Sequence, residues 1–185
     1  WSQSGGWRTK QSDTLGFAKF GSTREVQRMR QMALAREACR QMALAHRPFG
    51  AYVIVDPDVS VSLDGVAHGM SVAHRYGADV VAGNSLKWAR RPPRWVQYDL
   101  WALRMGSWTR FGSPGYDWRR WQRMSPPRGA APVKALSAFG GVAIYKPSLF
   151  EHRAYDPESD DCEHVAIHRH ARTLLIDPSM ITVYG

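Results

Sequence analysis

The chain is poor in cysteine, in acidic residues and in long apolar runs. Cys39 and Cys162 are its two cysteines and lie far apart. No disulfide framework follows from that spacing, so a reducing compartment, the cytoplasm, is the expected setting. No apolar run approaches the ~20 residues needed to span a bilayer, so no transmembrane segment is expected. Peripheral contact with a membrane surface is compatible with that absence. The start, Trp1-Ser2-Gln3-Ser4-Gly5-Gly6, lacks the charged-then-apolar pattern of a signal peptide. The chain does not begin with Met, which points to a processed product or a fragment. There is no internal repeat.

Acids are outnumbered. Sixteen Asp and Glu face 25 Lys and Arg, a formal net charge of +9. Such a balance suits a polyanion, whether nucleic acid, an anionic membrane surface or a nucleotide diphosphate. It equally suits a solvated, arginine-rich surface. Much of the charge is Arg, which favours bidentate phosphate contacts.

What is present is enough for one domain: 185 residues, 44% of them hydrophobic. Residues 1–21 are Gly- and Ser-rich and predict an irregular N-terminal segment, with the domain proper over 22–185. Ser22-Thr23-Arg24-Glu25 resembles a capping box, opening a helix over about 23–45. Met29, Met32, Ala35, Cys39 and Met42 are its expected buried stripe, with Arg24, Arg28, Arg36 and Arg40 on other faces. The unalternated run Ala51–Val55 reads as a central parallel strand. Asp64 is the expected cap of a second helix that ends near Gly77. Further strands are expected at Ala78–Ala82, Leu136–Tyr145 and Leu174–Ile176, with a helix from Asp160 or Asp161 to about Arg172. Residues 87–132, rich in Trp, Arg, Pro and Gly, read as long functional loops. Strands alternating with helices predict an α/β sandwich with a mainly parallel sheet, whose ligands sit beyond the carboxyl ends of the strands. Asp56, Asp58 and Asn84 lie at such ends.

Several clusters carry possible chemistry. Asp56-Pro57-Asp58 can hold Mg²⁺ or Mn²⁺, and the metal can neutralise a diphosphate. It is also an ordinary turn composition. In Asp160-Asp161-Cys162-Glu163-His164, the functional reading makes Glu163 or Asp161 a general base and His164 a metal or phosphate ligand. The structural reading is a capping box of Asp160 with Glu163. His164 and His168 share a zinc-site spacing, but the zinc-protease pattern is missing, so His168 and His170 are expected at the surface. Gly140-Gly141 permits close backbone approach, to a ligand or to a neighbouring strand. Tyr98-Asp99-Leu100-Trp101-Ala102-Leu103-Arg104 groups sugar-platform rings, an acid and a phosphate-binding guanidinium, or else an amphipathic core segment.

In order, Val-Asp-x-Asp, Tyr98–Arg104, Ser137–Lys146 and Cys162–Val165 resemble the glycosyltransferases related to fungal capsule-associated α-1,3-mannosyltransferases, over roughly residues 23–183. The resemblance implies a GT-A-type three-layer α/β/α fold with a nucleotide-sugar donor. It also implies a divalent metal at Asp56 and Asp58. Arg28 and Arg36 sit where that family has its Arg residues. Glu37 stands where the family usually has Asn. Residues 1–21 do not resemble the family's base-binding strand–helix–strand unit, so that unit is expected to be absent or reduced.

The expectation is a metal-dependent transfer of a sugar to a glycan or other hydroxyl acceptor. Glu163 and then Asp161 are the catalytic candidates, and Asp56, Asp58 and His164 the metal ligands. Arg28, Arg36, Asn84 and Arg104 are assigned to the donor. Tyr98, Asp99, Trp101, Gly140 and Gly141 are assigned to the acceptor, among Trp-rich loops from Trp88 to Trp121. No nucleic-acid partner is expected on this reading. The alternatives are a basic nucleic-acid-binding module and an inactive glycan-binding remnant.

Overall fold

The computed structural model describes residues 26–46, 48–90, 93–124 and 126–184. The expected 1–21 segment, the Ser22–Glu25 capping box and Arg24 lie outside the described residues. Seven strands form one mixed sheet: β1 (Tyr52–Val55), β2 (Val59–Val61), β3 (Val80–Arg90), β4 (Pro93–Gln97), β5 (Val133–Ala135), β6 (Val142–Tyr145) and β7 (Leu174–Tyr184). The main path runs β1-β6-β3-β7-β2, with β4 on β3 and β5 on β7. The helices are α1 (Val26–Leu44), α2 (Leu63–Tyr76), α3 (Trp118–Gln122), α4 (Pro147–Phe150) and α5 (Glu163–His168).

Strand alternation sorts the sheet's side chains onto two faces. Val81, Val142, Ile144 and Leu175 pack with Val72 of α2 and with Met180. Val80, Ala82, Ala143, Tyr145, Leu174 and Ile176 pack on the other face with Ala33 of α1 and with Val165 and Ile167 of α5. The α/β/α layering therefore holds. The mainly parallel sheet does not: β3 with β7 is parallel, while β1–β6, β2–β7, β3–β4, β3–β6 and β5–β7 are antiparallel. A continuous apolar run reports burial on both faces and carries no information on strand direction.

Local expectations were corrected in several places. The Ala51–Val55 run is an edge strand: β1 pairs with β6 alone on the sheet's path, and Val53 and Val55 are exposed. Ser62, not Asp64, caps α2 through its side-chain oxygen, and Gly77 closes that helix in the left-handed conformation. Leu136–Tyr145 is not one strand, since β5 and β6 are separated by a turn at Gly140-Gly141. The start of the expected 87–132 loop is the outer half of β3 and its hairpin partner β4. Helix α5 ends at His168 rather than Arg172, and its N-cap Cys162 makes no side-chain cap bond.

The buried side of α1 also differs from the expected stripe. Cys39 and Met42 are exposed. Met29, Ala33 and Arg40 are buried, and Arg36 is largely so. Two arginines thus occupy the inward face. Arg40 donates to both Glu37 oxygens at 2.8 Å and to the Phe150 carbonyl at 2.8 Å. Glu37 also accepts from the Tyr155 backbone N–H at 3.0 Å. A fully partnered guanidinium can lie in a helix interface because its donors are satisfied and its stem is apolar.

Candidate functional site

A cleft of about 1320 Å³ opens on the α1/α5 side of the sheet. Asp56 and Asp58 reach it from the end of β1, Arg28 and Arg36 from α1, and Glu163 and His164 from the start of α5. Tyr98, Asp99 and Trp101 enter from the segment after β4, with Tyr184 from the end of β7. Phe111, Tyr116, Trp118 and Phe139 complete an aromatic wall.

Arg36 is the hub. Its Nη2 donates to Asp56 Oδ1 at 2.8 Å and its Nε to Glu163 Oε1 at 2.8 Å, joining segments 127 residues apart in the second case. Burial alone would make Arg36 easier to deprotonate. The charges of Glu163 and Asp56 outweigh it and raise the guanidinium pKa further above its ordinary value. Burial raises the Asp56 pKa, opposed by Arg36 and reinforced by Asp58 and Glu163. Asp58 is exposed at the cleft.

The Gly140-Gly141 turn organises the site from behind and does not line it. Gly140 N–H donates to Asp99 Oδ2 at 2.9 Å, and Gly141 C=O accepts from Asp56 N–H at 2.8 Å. Both glycines have positive φ, and a Cβ on Gly140 would stand 2.2 Å from the Gly83 carbonyl oxygen. The pair is a structural turn that fixes two carboxylate-bearing segments, which replaces the expected acceptor contact. The Asp99 pKa is raised by burial, opposed by the Gly140 and Ala102 N–H groups.

Behind Glu163 lies a buried polar network. The His164 ring stacks on Phe139, centroids 3.7 Å apart, and Arg36 lies 4.9 Å over the other ring's centroid. His164 Nδ1 meets Tyr145 Oη at 3.3 Å, and the same hydroxyl meets His168 Nε2 at 3.0 Å. His168 Nδ1 pairs with Ser137 Oγ at 2.8 Å. Burial pushes the His168 pKa down to about 3. Burial, then the charges of Arg36 and His168, holds His164 well below its ordinary value. Both rings are neutral parts of the interior. The expectation of His168 at the surface was wrong, while His170 is exposed. Burial also raises the Cys162 thiol, whose Sγ donates to Glu163 Oε2 at 3.5 Å.

Five further assignments fail on placement. Arg104 is 1% exposed, pairs with Asp161 and donates to the Trp101 and Leu103 carbonyls at 2.9 Å, so neither partner of that pair is free for donor binding or catalysis. Neither lines the cleft. Asn84 is buried and donates to the Pro126 carbonyl at 3.3 Å, which removes it from the donor set. His164 does not join Asp56 and Asp58: among the described residues no three His, Cys, Asp or Glu side chains form a metal-holding group. Asp160 pairs with Arg110 on the surface rather than capping α5 with Glu163.

Of the tryptophans, Trp101 and Trp118 line the cleft, while Trp88 and Trp95 do not. Sequence reasoning missed Tyr184 and Lys87. The Tyr184 ring lies 3.8 Å from that of Tyr98, and Lys87 Nζ is 4.9 Å over Tyr98. The signal for Tyr184 is the β-branched and aromatic run Ile181-Thr182-Val183-Tyr184, which continues β7 into the cleft.

No protein-family model matches the sequence, and comparison with curated proteins gives no match. Three solved chains match the structure. One is the crystal structure of A197 from STIV, with a TM-score of 0.51 and 14% identity, covering 83% of this chain and 67% of that one. The likeness is one of fold. No helix among the described residues is long and apolar enough to cross a membrane.

Proposed function

We propose that the cleft binds a nucleoside diphosphate sugar and transfers the sugar to a hydroxyl acceptor. The observation that carries this reading is the convergence of Asp56, Asp58, Arg36 and Glu163 in one large cleft walled by aromatic rings. Arg28 and Lys87 supply positive charge for phosphates, Arg36 being spent on Asp56 and Glu163, and Trp101, Trp118 and Tyr98 supply faces for sugar rings.

The residues present fit a divalent ion that substrate completes. Arg36 occupies Asp56 Oδ1, which leaves Oδ2 and the exposed Asp58 carboxylate. One or two carboxylates plus substrate phosphates are a common Mg²⁺ set. Mn²⁺ or Mg²⁺ bound there would supply charge stabilisation for the departing diphosphate. Asp56 and Asp58 would hold the ion, and Arg36 would fix Asp56 and Glu163 in register. Glu163 would accept a hydrogen bond from the acceptor hydroxyl, its carboxylate preoriented by Arg36 and Cys162.

A second reading is favoured by the same hub. Arg36 ties up an oxygen of Asp56 and one of Glu163, an arrangement that also suits a glycan-binding cleft without transfer. Calorimetric titration separates the two. The transferase reading expects UDP and GDP to bind in the presence of Mn²⁺, weakly and with little preference between the bases, because no segment among the described residues is assigned to reading a base edge. Binding should be lost without Mn²⁺ and in Asp58→Asn. Binding of oligosaccharide with no diphosphate binding under any metal condition would favour the second reading.

A further inference from the structure

Trp88 and Trp95 are left unexplained by the cleft. Beyond Leu86, β3 no longer pairs with β7 and continues with β4 alone, as a two-stranded ribbon. Trp88 stands directly opposite Trp95 across it. Both indoles are about half exposed, 50% and 48%, and pack edge to face with centroids 5.4 Å apart. Arg90 is exposed on the indoles' side of the ribbon, while Arg94, paired with Ala89, is exposed on the other side with Lys87, and no Asp or Glu occurs from Val80 to Tyr98. Pairing places Lys87 and Val96 on the opposite side of the ribbon from the two indoles, and that side lines the cleft.

We propose that this ribbon docks the protein on an anionic bilayer surface. Indoles are amphipathic and settle at the headgroup level, where the ring is sheltered and the N–H stays hydrated. Arg90 beside them, and Arg94 across the same narrow ribbon, gain from anionic lipid phosphates, and no acid of the ribbon's own sequence opposes them. The observations favour a bilayer over nucleic acid. The two rings contact each other at 70° and form a compact wedge, not parallel platforms spaced for successive bases. Two tryptophans with Arg90 on the same side supply the two signals, apolar insertion and charge, that reversible membrane binding needs. The surface assignment itself does not depend on the cleft's chemistry.

Vesicle flotation tests it. The protein should float with phosphatidylcholine vesicles that contain phosphatidylglycerol, not with phosphatidylcholine alone, and added salt should release it. Trp88→Ala/Trp95→Ala should abolish flotation. Arg90→Gln/Arg94→Gln, which keeps the indole pair and guards against a misfolded ribbon, should lower partitioning roughly 30-fold, equivalent to about 1 kcal/mol per arginine. Wild-type protein that stays with the soluble fraction would overturn the proposal, as would both double variants floating like wild type. Binding to a single-stranded oligonucleotide that needs Trp88 and Trp95, without vesicle binding, would overturn it in favour of nucleic acid.

Discussion

The two faces of the sheet are built on different principles. Under α2 the packing is mostly apolar and small-grained: Val81, Val142, Ile144, Leu175 and Met180 meet a helix face that includes Gly65, Gly69 and Val72, and its one buried carboxylate among the described residues, Asp177, pairs with His68 of α2 at 2.7 Å. On the α1/α5 face the apolar core is threaded with Arg36, Arg40, Arg104, Asp161, Glu163, His164, His168 and Tyr145. Burying such groups has a desolvation cost that only close pairing offsets. Stability is therefore cheap on the first face and conditional on the second, and the cleft lies on the second. Proteins tolerate local cost where a site is held in place.

The largest break should come from the conditional face. Arg104→Ala strands the buried Asp161 carboxylate and should cost about 3–5 kcal/mol in urea unfolding. Val72→Ala, on the α2 face, removes only packing and should cost roughly 1–3 kcal/mol, with little dependence on pH. An Arg104→Ala protein as stable as Val72→Ala would show that the ion pair contributes nothing.

The pH dependence should follow the same division. His168 and His164 titrate in the unfolded chain near 6.5 but resist protonation when folded. Below that pH the unfolded state binds more protons, so stability falls as pH drops towards about 3, the folded value of His168. The slope should reach about 1.4 kcal/mol per pH unit for each ring. Asp56 and Asp99, whose pKa values are raised, act in the opposite sense and soften the loss at the acid end. A flat melting temperature between pH 7 and pH 5, bracketing that onset, would mean that the histidines are not held neutral.

Glycines sharpen the contrast. Gly140→Ala drives a Cβ into the Gly83 backbone at 2.2 Å, whereas Gly69→Ala meets the ends of Ile144 and Met180 at 2.8 Å, which can turn aside. Thermal melts should rank Gly140→Ala as clearly the more damaging. The smallest stability effect belongs to Asp58→Asn, within ~0.5 kcal/mol, because the side chain is exposed. A larger loss would make Asp58 part of the fold rather than of a ligand site.

How much of this could be read in the sequence follows the same line. Helix α2 was legible from its terminal Gly77 and a polar residue near its start, although the cap is Ser62 and not Asp64. The positions of β1, β3, β6 and the start of β7 were legible from apolar runs. Their directions were not, because burial on both faces is common to parallel and antiparallel central strands. The inward face of α1 was misread because Arg36 and Arg40 break a hydrophobic count, although their partners make them interior residues. Asp56, Asp58, Arg28, Arg36, Glu163, Tyr98, Asp99 and Trp101 do share one cleft. Arg104, Asp161 and Asn84 do not, because burial and pairing depend on contacts distant in sequence.

On the proposed function, this cleft splits a nucleotide sugar with the help of Asp56 and Asp58. The most direct measurement is release of nucleoside diphosphate from a panel of nucleotide sugars with Mn²⁺, with and without glycan acceptors. The account predicts metal-dependent release from at least one donor, accelerated by an acceptor and lost in Asp56→Asn and Asp58→Asn while both variants remain folded. No release from any donor, or release unchanged in those two variants, would contradict it.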